Sequence, residues 1–331
     1  MDDGQLASRE IRAIWKMGRV DRREIPRDMS GGNRYLIFLR RSRGGCGIPY
    51  ETAKAELISL FEENILDIAE EYWTKHRLLV TINLPPDEVK RRAELAGYIE
   101  AILSVHEEPY MGEELRSQSK GRWRVGWVRI GDRRRFQREI YLQDDEERLR
   151  LSPDKRPFKV EVNGKVILAK GHKHHRGLSP LDARFLLNLA RLKGDELILD
   201  PFAGFGGIVL EARRRRLNII ASEVDVSLRM GLEEVSGGRC LIADARRLPF
   251  KSKTFDAVVT EPPYRREQRG AVIEAMEEIC RVCKEEGPIV MLISQSMAAE
   301  AVKRLEELGR EVKGAHPVRR HGGLICRAML F

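Results

Sequence analysis

The sequence predicts an α/β protein whose mostly parallel sheet ends in an antiparallel hairpin, with a smaller α+β domain in front of it. Three observations carry that prediction. From Ser179 onward, apolar runs alternate regularly with amphipathic stretches, which implies right-handed crossovers and a parallel sheet covered on both faces. One of those runs ends in the glycine-rich turn Asp200-Pro-Phe-Ala-Gly-Phe-Gly-Gly207. The last two strand candidates are separated by Gly322-Gly323 with no helix between them, so the final strand should run antiparallel to the rest.

In chain order, residues 11–17 form a short helix candidate and 29–33 a loop. Residues 34–39 are rich in β-branched and aromatic side chains and read as a strand. After Gly44-Gly-Cys-Gly47, residues 50–73 carry a helical stripe of Ala53, Leu57, Leu60, Phe61, Ile65, Ile68, Ala69 and Tyr72. A strand at 78–82 stops at Pro85-Pro86, and Asp87 caps a helix expected to run to Leu103. Residues 113–166 are polar and irregular, with strand candidates at 123–130 and 158–162. The expected domains are 1–155 and 156–331.

The second half reads as helix 180–192, strand 195–199, helix 208–216, strand 218–223, helix 227–235 and strands 240–243 and 255–260. Helix 271–284, strand 288–293, helix 298–308 and strands 311–316 and 324–331 complete it. A parallel sheet with a terminal antiparallel hairpin is the pattern of methyltransferases that use S-adenosylmethionine (SAM), rather than of dehydrogenases.

Composition narrows the partners. A chain of 331 residues can hold two domains, each with its own core. At 42% hydrophobic and 34% charged it is globular rather than disordered or fibrous. No apolar run approaches the roughly 20 residues that span a bilayer, and Met1-Asp-Asp-Gly lacks the features of a secretion signal. Five cysteines without framework spacing fit a reducing compartment, so a cytoplasmic location is expected. A formal net charge of +9 predicts a polyanionic partner, most simply a nucleic acid.

In open α/β sheets, ligands sit beyond the carboxyl ends of the strands, where strand order reverses. Asp200 lies at such an end, followed by Phe202 and Ala203. Gly204, Gly206 and Gly207 let the turn take unusual backbone angles and approach a ligand closely. Glu223, nineteen residues after Gly204 and followed by Val224, ends the next strand and can accept hydrogen bonds from two ribose hydroxyls. Asp244 is placed to receive an adenine amino group, with the Ala245 amide beside it. A ligand-free tight turn and a dinucleotide site are the alternatives; Asp200-Pro-Phe is unusual for the latter.

Sixty-one residues after Asp200, a second apolar run ends in Glu261-Pro-Pro-Tyr264. An exocyclic amine is a poor nucleophile because its lone pair is delocalised into the ring. Glu261 and the Pro262 carbonyl can accept its two N–H bonds, so the nitrogen becomes pyramidal and its lone pair turns outward. Pro262 and Pro263 fix the turn and donate no competing amide. Tyr264 can stack on a flipped base, and catalysis is then mainly positional and electrostatic. The plain reading is a Pro-Pro strand end with a core tyrosine.

These two blocks, with Leu178-Ser-Pro-Leu-Asp-Ala-Arg-Phe-Leu-Leu-Asn-Leu-Ala190, resemble the archaeal and eukaryotic tRNA (guanine-N2)-methyltransferases that modify guanosine at position ten. The third block is similar to their pre-motif helix, Pro-x-x-Ala-Arg-x-x-x-Asn-Leu. The resemblance covers about 150 residues of the C-terminal half. It implies a Rossmann-like SAM-methyltransferase sheet, with Asp200, Gly204, Glu223 and Asp244 at cofactor positions and Glu261 to Tyr264 at the base. The family carries Asp or Asn where this chain has Glu261, whose extra methylene moves the carboxylate by about 1.5 Å.

The resemblance also implies an RNA-binding THUMP region ahead of the catalytic domain, and in some eukaryotic relatives a small activator protein. Between Arg116 and Arg138 there are nine Lys or Arg residues against one acid, interleaved with Trp123, Trp127 and Phe136. Lys120, Arg122, Arg124, Arg133, Arg134 and Arg135 are therefore RNA-contact candidates, against the alternative of a solvated loop. His172, His174 and His175 read as a polar loop or phosphate contact and Cys280-Arg-Val-Cys283 as buried thiols, so no metal site is expected. Arg213 to Arg216 close a helix, with solvation as the default.

The resulting expectation is a SAM-dependent tRNA (guanine-N2)-methyltransferase. The alternatives are a DNA or rRNA amino-methyltransferase, since the same turn serves adenine N6 and cytosine N4, and an RNA-binding protein whose catalytic motif has drifted. Oligomeric state is not legible.

Overall fold

The computed structural model describes residues 32–43, 46–69, 76–106, 125–130, 133–142, 157–162, 165–170, 178–320 and 323–331. The helix candidate at 11–17, the boundary at 155/156, Lys120, Arg122, Trp123, Arg124, His172, His174 and His175 lie outside the described residues. Contacts divide the chain into two compact units. One comprises 1–40, 61–94 and 99–143, the other 41–60, 95–98 and 144–331.

The first unit is built on a six-stranded sheet in which every neighbouring pair is antiparallel. Its strands are β1 (Asn33–Leu39), β2 (Ile65–Ala69), β3 (Arg77–Ile82), β4 (Ile99–His106), β5 (Val125–Ile130) and β6 (Arg133–Leu142), in the order β2-β3-β1-β4-β6-β5. In β1, Tyr35 to Leu39 are all buried, as a strand covered on both faces requires.

Two helices are shorter than periodicity predicts. The stripe at 50–73 gives α1 (Tyr50–Phe61), after which Glu62 takes a φ of 26° and the chain turns into β2. Pairing with β3, Ile68 opposite Val80 and Ala69 opposite Leu79, overrides the helical spacing of Ile65 and Ile68. The helix expected over 87–103 is α2 (Pro86–Ala93), and β4 begins at Ile99. The break falls beside Gly97, where a Cβ would lie 2.2 Å from the Leu181 carbonyl oxygen. Within residues 113–166 the strand candidate at 123–130 is β5, and it pairs with β6, a strand hidden in a run of arginines that reads as irregular in the sequence. The same stretch contains β7 (Pro157–Val162), which pairs with a strand not expected at all, β8 (Lys165–Lys170).

The main sheet of the second unit has seven strands. These are β9 (Leu197–Asp200), β10 (Asn218–Glu223), β11 (Cys240–Ile242), β12 (Ala257–Thr260), β13 (Ile289–Ser294), β14 (Gly314–Arg319) and β15 (Ile325–Leu330). They lie in the order β11-β10-β9-β12-β13-β15-β14. Pairing is parallel from β11 through β13, and β15 is antiparallel to both its neighbours. This is the mostly parallel, Rossmann-like sheet expected from the sequence, with its terminal antiparallel hairpin. All six residues of β13 are buried. Ile289, Met291 and Ile293 share one core cluster with Val272, Met276 and Ile279 of α6 (Arg269–Val282) and Met297, Ala301 and Leu305 of α7 (Gln295–Glu307).

The pre-motif helix is α3 (Pro180–Leu189), with Ser179 as its cap and Pro180 in the first turn. Its pattern residues are structural bolts. Arg184 pairs with Glu211 of α4 (Gly207–Arg214) at 2.9 Å, both side chains buried. Asn188 Nδ2 donates to Glu56 of α1 at 2.7 Å, and the same buried carboxylate accepts the Gly97 and Tyr98 amides. Glu56 thereby ties α1 and residues 95–98 into the second unit. Arg213 to Arg215 are engaged rather than merely solvated: Arg213 donates to the Val235 carbonyl, Arg214 to Glu211 and Arg215 to Asn188. No helix among the described residues is long and apolar enough to cross a membrane.

Candidate functional site

Strand order reverses between β9 and β12, and a cavity of about 730 Å³ opens beyond the carboxyl ends of these strands. Asp200 ends β9 and Thr260 ends β12. The Thr260 hydroxyl donates to Asp200 Oδ1 at 2.6 Å, and the Phe202 amide reaches the same oxygen at 3.3 Å. Asp200 is only 1% exposed. Burial pushes its carboxyl up to about 7, and Glu223 and Glu261 add to the rise against the hydrogen bonds from Thr260 and Phe202.

The turn after Asp200 lines the cavity with Phe202, Ala203 and Gly204. Gly204 has φ +52° with nothing within 4 Å of a would-be Cβ, so ligand atoms can approach its backbone. Gly206, φ +79°, sits behind the turn as the N-cap of α4. A Cβ there would lie 2.8 Å from Val235 Cγ1 of α5 (Arg229–Ser236), so its demand is packing.

Glu223 ends β10. Its Oε2 accepts the Gly204 amide at 2.8 Å, and its Oε1 accepts the Val224 and Asp225 amides at 2.9 Å each. Three backbone donors thus fix this carboxylate against the glycine turn. Val224, also on the cavity wall, is 60% exposed despite being apolar. Asp244 lies beyond β11 and lines the cavity with Ala245. Hydrogen bonds from Arg246, side chain and amide, hold its carboxyl below the usual range.

These groups fit SAM. Four carboxylates, Asp200, Glu223, Asp244 and Glu261, line the cavity with Arg246, Arg265 and Arg320, and Arg246 and Arg320 pair with Asp244 and Glu261. Gly204 and the immobilised Glu223 suit a ribose diol, and the exposed face of Val224 suits a flat base.

Glu261, Pro262, Pro263 and Tyr264 line the same cavity. The Tyr264 hydroxyl donates to Glu261 Oε1 and lies 3.4 Å from the Leu292 carbonyl. Burial and then Glu261 push this hydroxyl well above its usual range. Arg320 Nη2 sits 3.0 Å from the same Glu261 oxygen, and Arg320 Nη1 lies 3.0 Å from Asp182 Oδ2 of α3. Sequence reasoning singled out neither Arg320 nor Asp182 for the site. Asp182 stands inside the pre-motif block and Arg320 beside Gly322-Gly323, but nothing local joins positions 138 residues apart.

Of the RNA-contact candidates, Arg133, Arg134 and Arg135 open β6, in register with Ile130, Arg129 and Val128 of β5. Cys280 and Cys283 end α6 as free thiols, and burial pushes both up, Cys283 to about 11. No group of three or more metal-ligating side chains occurs among the described residues.

No protein-family model matches the chain. It is 29% identical over 208 residues, 61% of its own length, to the tRNA (guanine(10)-N2)-dimethyltransferase of Methanothermobacter thermautotrophicus, covering 48% of that protein. It is 31% identical over 188 residues to the protein of the same name from Methanocaldococcus jannaschii, covering 50% of this chain and 51% of the other. The chain therefore spans about half the length of the curated relatives it matches. Among solved structures, TrmN from Thermus thermophilus superposes with a TM-score of 0.49 at 18% identity, over 90% of this chain and 98% of that one.

Proposed function

We propose that the chain is a SAM-dependent methyltransferase that forms N2-methylguanosine in tRNA. One observation carries the reading: the glycine turn after Asp200 and the Glu261-Pro-Pro-Tyr264 turn, far apart in sequence, open into one cavity and are joined by the Thr260–Asp200 hydrogen bond. The names borne by the archaeal relatives supply the target, the N2 amine of a tRNA guanine.

In this reading Glu223 takes the ribose hydroxyls, Gly204 and Ala203 pass close to the cofactor, and Asp244 with Ala245 and Val224 receives the adenine. Asp200, next to the turn, faces the cationic end. When bound, SAM supplies an electrophilic methyl group. The chain's own residues prepare the acceptor. Glu261 and the Pro262 carbonyl accept the two N–H bonds of the exocyclic amine, which turns its lone pair out of conjugation. Pro262 and Pro263 hold that geometry because their φ is locked. Tyr264 offers a ring to stack on the extruded base, a contact worth about 1–3 kcal/mol. Extrusion itself costs a few kcal/mol, which the first unit, as a THUMP-like RNA-binding region carrying Arg133 to Arg135, helps to offset by gripping the tRNA. The setting is the cytoplasm, and a small activator protein is the partner to supply if the chain alone is slow.

The test is transfer of labelled methyl from SAM to tRNA, rRNA and duplex DNA, followed by nucleoside analysis. Label in tRNA as N2-methylguanosine is expected. Label only in rRNA or DNA would reassign the substrate. SAM and tRNA binding without transfer, even with an activator present, would leave a binding protein and contradict the proposal.

A further inference from the structure

Arg320 follows β14, and its amide donates to the Leu324 carbonyl at 2.8 Å, closing the turn into β15. That turn delivers a guanidinium only 2% exposed to the floor of the site. There it is held between two carboxylates, Asp182 and Glu261, each at 3.0 Å. The Tyr98 hydroxyl donates to the other Asp182 oxygen at 2.6 Å, so Asp182 is itself immobilised. Tyr264 donates to the Glu261 oxygen that faces Arg320. Burial would make Arg320 easier to deprotonate, but Glu261 and Asp182 more than reverse this and keep it charged.

We propose that Arg320 is a positioning residue that sets the reach of the acceptor at position 261, so that a glutamate, and not an aspartate, is the side chain of working length in this cavity. The inference rests on the methyltransferase reading and adds to it the residue that governs acceptor geometry. A buried ion pair holds only when its geometry is good, and a charge-assisted N–H···O contact spans about 2.7–2.9 Å. Shortening residue 261 by one methylene withdraws its carboxylate by about 1.5 Å, which takes it out of reach of both Arg320 and Tyr264. Glutamine keeps the length and an oxygen that can accept from both. It also leaves Arg320 neutralised by Asp182 alone.

The two substitutions therefore rank in an order that charge alone would not give. In the whole chain, Glu261→Gln should lower kcat for tRNA methylation by about tenfold, since a neutral oxygen accepts the amine less strongly. Glu261→Asp, which keeps the charge, should lose about 100-fold, the scale of a 1 Å misplacement. KM for SAM should hold steady in both, whereas the thermal midpoint should fall in both, because each leaves the buried Arg320 with Asp182 as its remaining charged partner. Arg320→Lys should lower kcat much as Glu261→Asp does, since an ammonium on a flexible stem does not reproduce the fork. In the Glu261→Asp background it should add little further loss, because the coupled contact is already gone. Should Arg320→Lys fail to fold, the Gln-against-Asp order still decides.

An Asp variant as active as, or more active than, the Gln variant would overturn the inference, and so would wild-type kcat in a folded Arg320→Lys. In both cases the methyltransferase reading would stand. Absence of transfer by the wild-type chain would remove that reading, and this inference with it.

Discussion

Glu223 and Glu261 stand on the wall of one cavity, yet they are held by opposite means. Glu223 is fixed by three backbone amides, two from the residues just after it and one from the glycine turn of the neighbouring strand. Glu261 is fixed by side chains, a tyrosine three residues on and an arginine from the closing hairpin, itself anchored on α3. Backbone donors come with the fold, and the Val224 and Asp225 amides do not depend on the side chains those positions carry. A side-chain relay can be retuned one residue at a time. The half of the cavity around Glu223 is thus held by the backbone of neighbouring strand ends, whereas the half around Glu261 is held by side chains remote in sequence.

The largest effect that could break this comparison is at Glu261. Replacement by alanine should lower kcat for methyl transfer by about 10²–10³-fold, the loss seen when one preorganised polar contact is removed from an active site. Steady-state assays with bulk tRNA would measure it. A variant that kept most of its kcat would show that the amine is held by other groups.

A smaller effect sharpens the half around Asp200. The Asp200 carboxyl is raised to about 7 in the folded chain, against an ordinary value of about 3.9. Its contribution to stability is therefore fully present below pH about 4 and is lost as pH rises through about 7. A cationic ligand reverses the preference by favouring the ionised form, so binding releases a proton. SAM affinity should climb between pH 6 and 7 by at most about tenfold per pH unit. In Asp200→Asn that climb should flatten, and calorimetry in buffers of different ionisation heat would read the proton directly. An unchanged slope in the variant would assign the proton to another group.

The smallest effect concerns packing. Gly206→Ala should lower unfolding free energy by about 1–3 kcal/mol through its positive φ and the approach to Val235, with SAM affinity nearly intact. Thermal melts with and without SAM would separate the two.

The same contrast explains what the sequence disclosed. The half of the cavity around Asp200 was legible as a strand-end cleft because its parts are local: an apolar strand, a glycine turn, then an acid at the next strand end. The alternation from Ser179 onward gave the sheet and its hairpin for the same reason. Arg320 and Asp182 were not legible as a pair, since only the tertiary fold brings positions 138 residues apart into contact. The N-terminal half misled where local periodicity was ambiguous. Ile65 and Ile68 fit a helix stripe, but pairing with β3 decided for strand. In β6 the run Arg133-Arg-Arg-Phe-Gln-Arg reads as a charged loop until its antiparallel neighbours β5 and β4 are placed beside it. Gly97 was the cue to end the second helix early, and its reason, contact with the Leu181 carbonyl, lies on a distant segment.

The division of labour within the cavity is tested most directly by calorimetric titration of SAM into the wild-type chain, Glu223→Ala and Glu261→Ala. Removing hydrogen bonds to a charged acceptor costs about 1.5–3 kcal/mol. Glu223→Ala should therefore weaken SAM by about tenfold or more, while Glu261→Ala leaves the affinity within about twofold. Equal loss in both variants, or none in Glu223→Ala, would contradict the account.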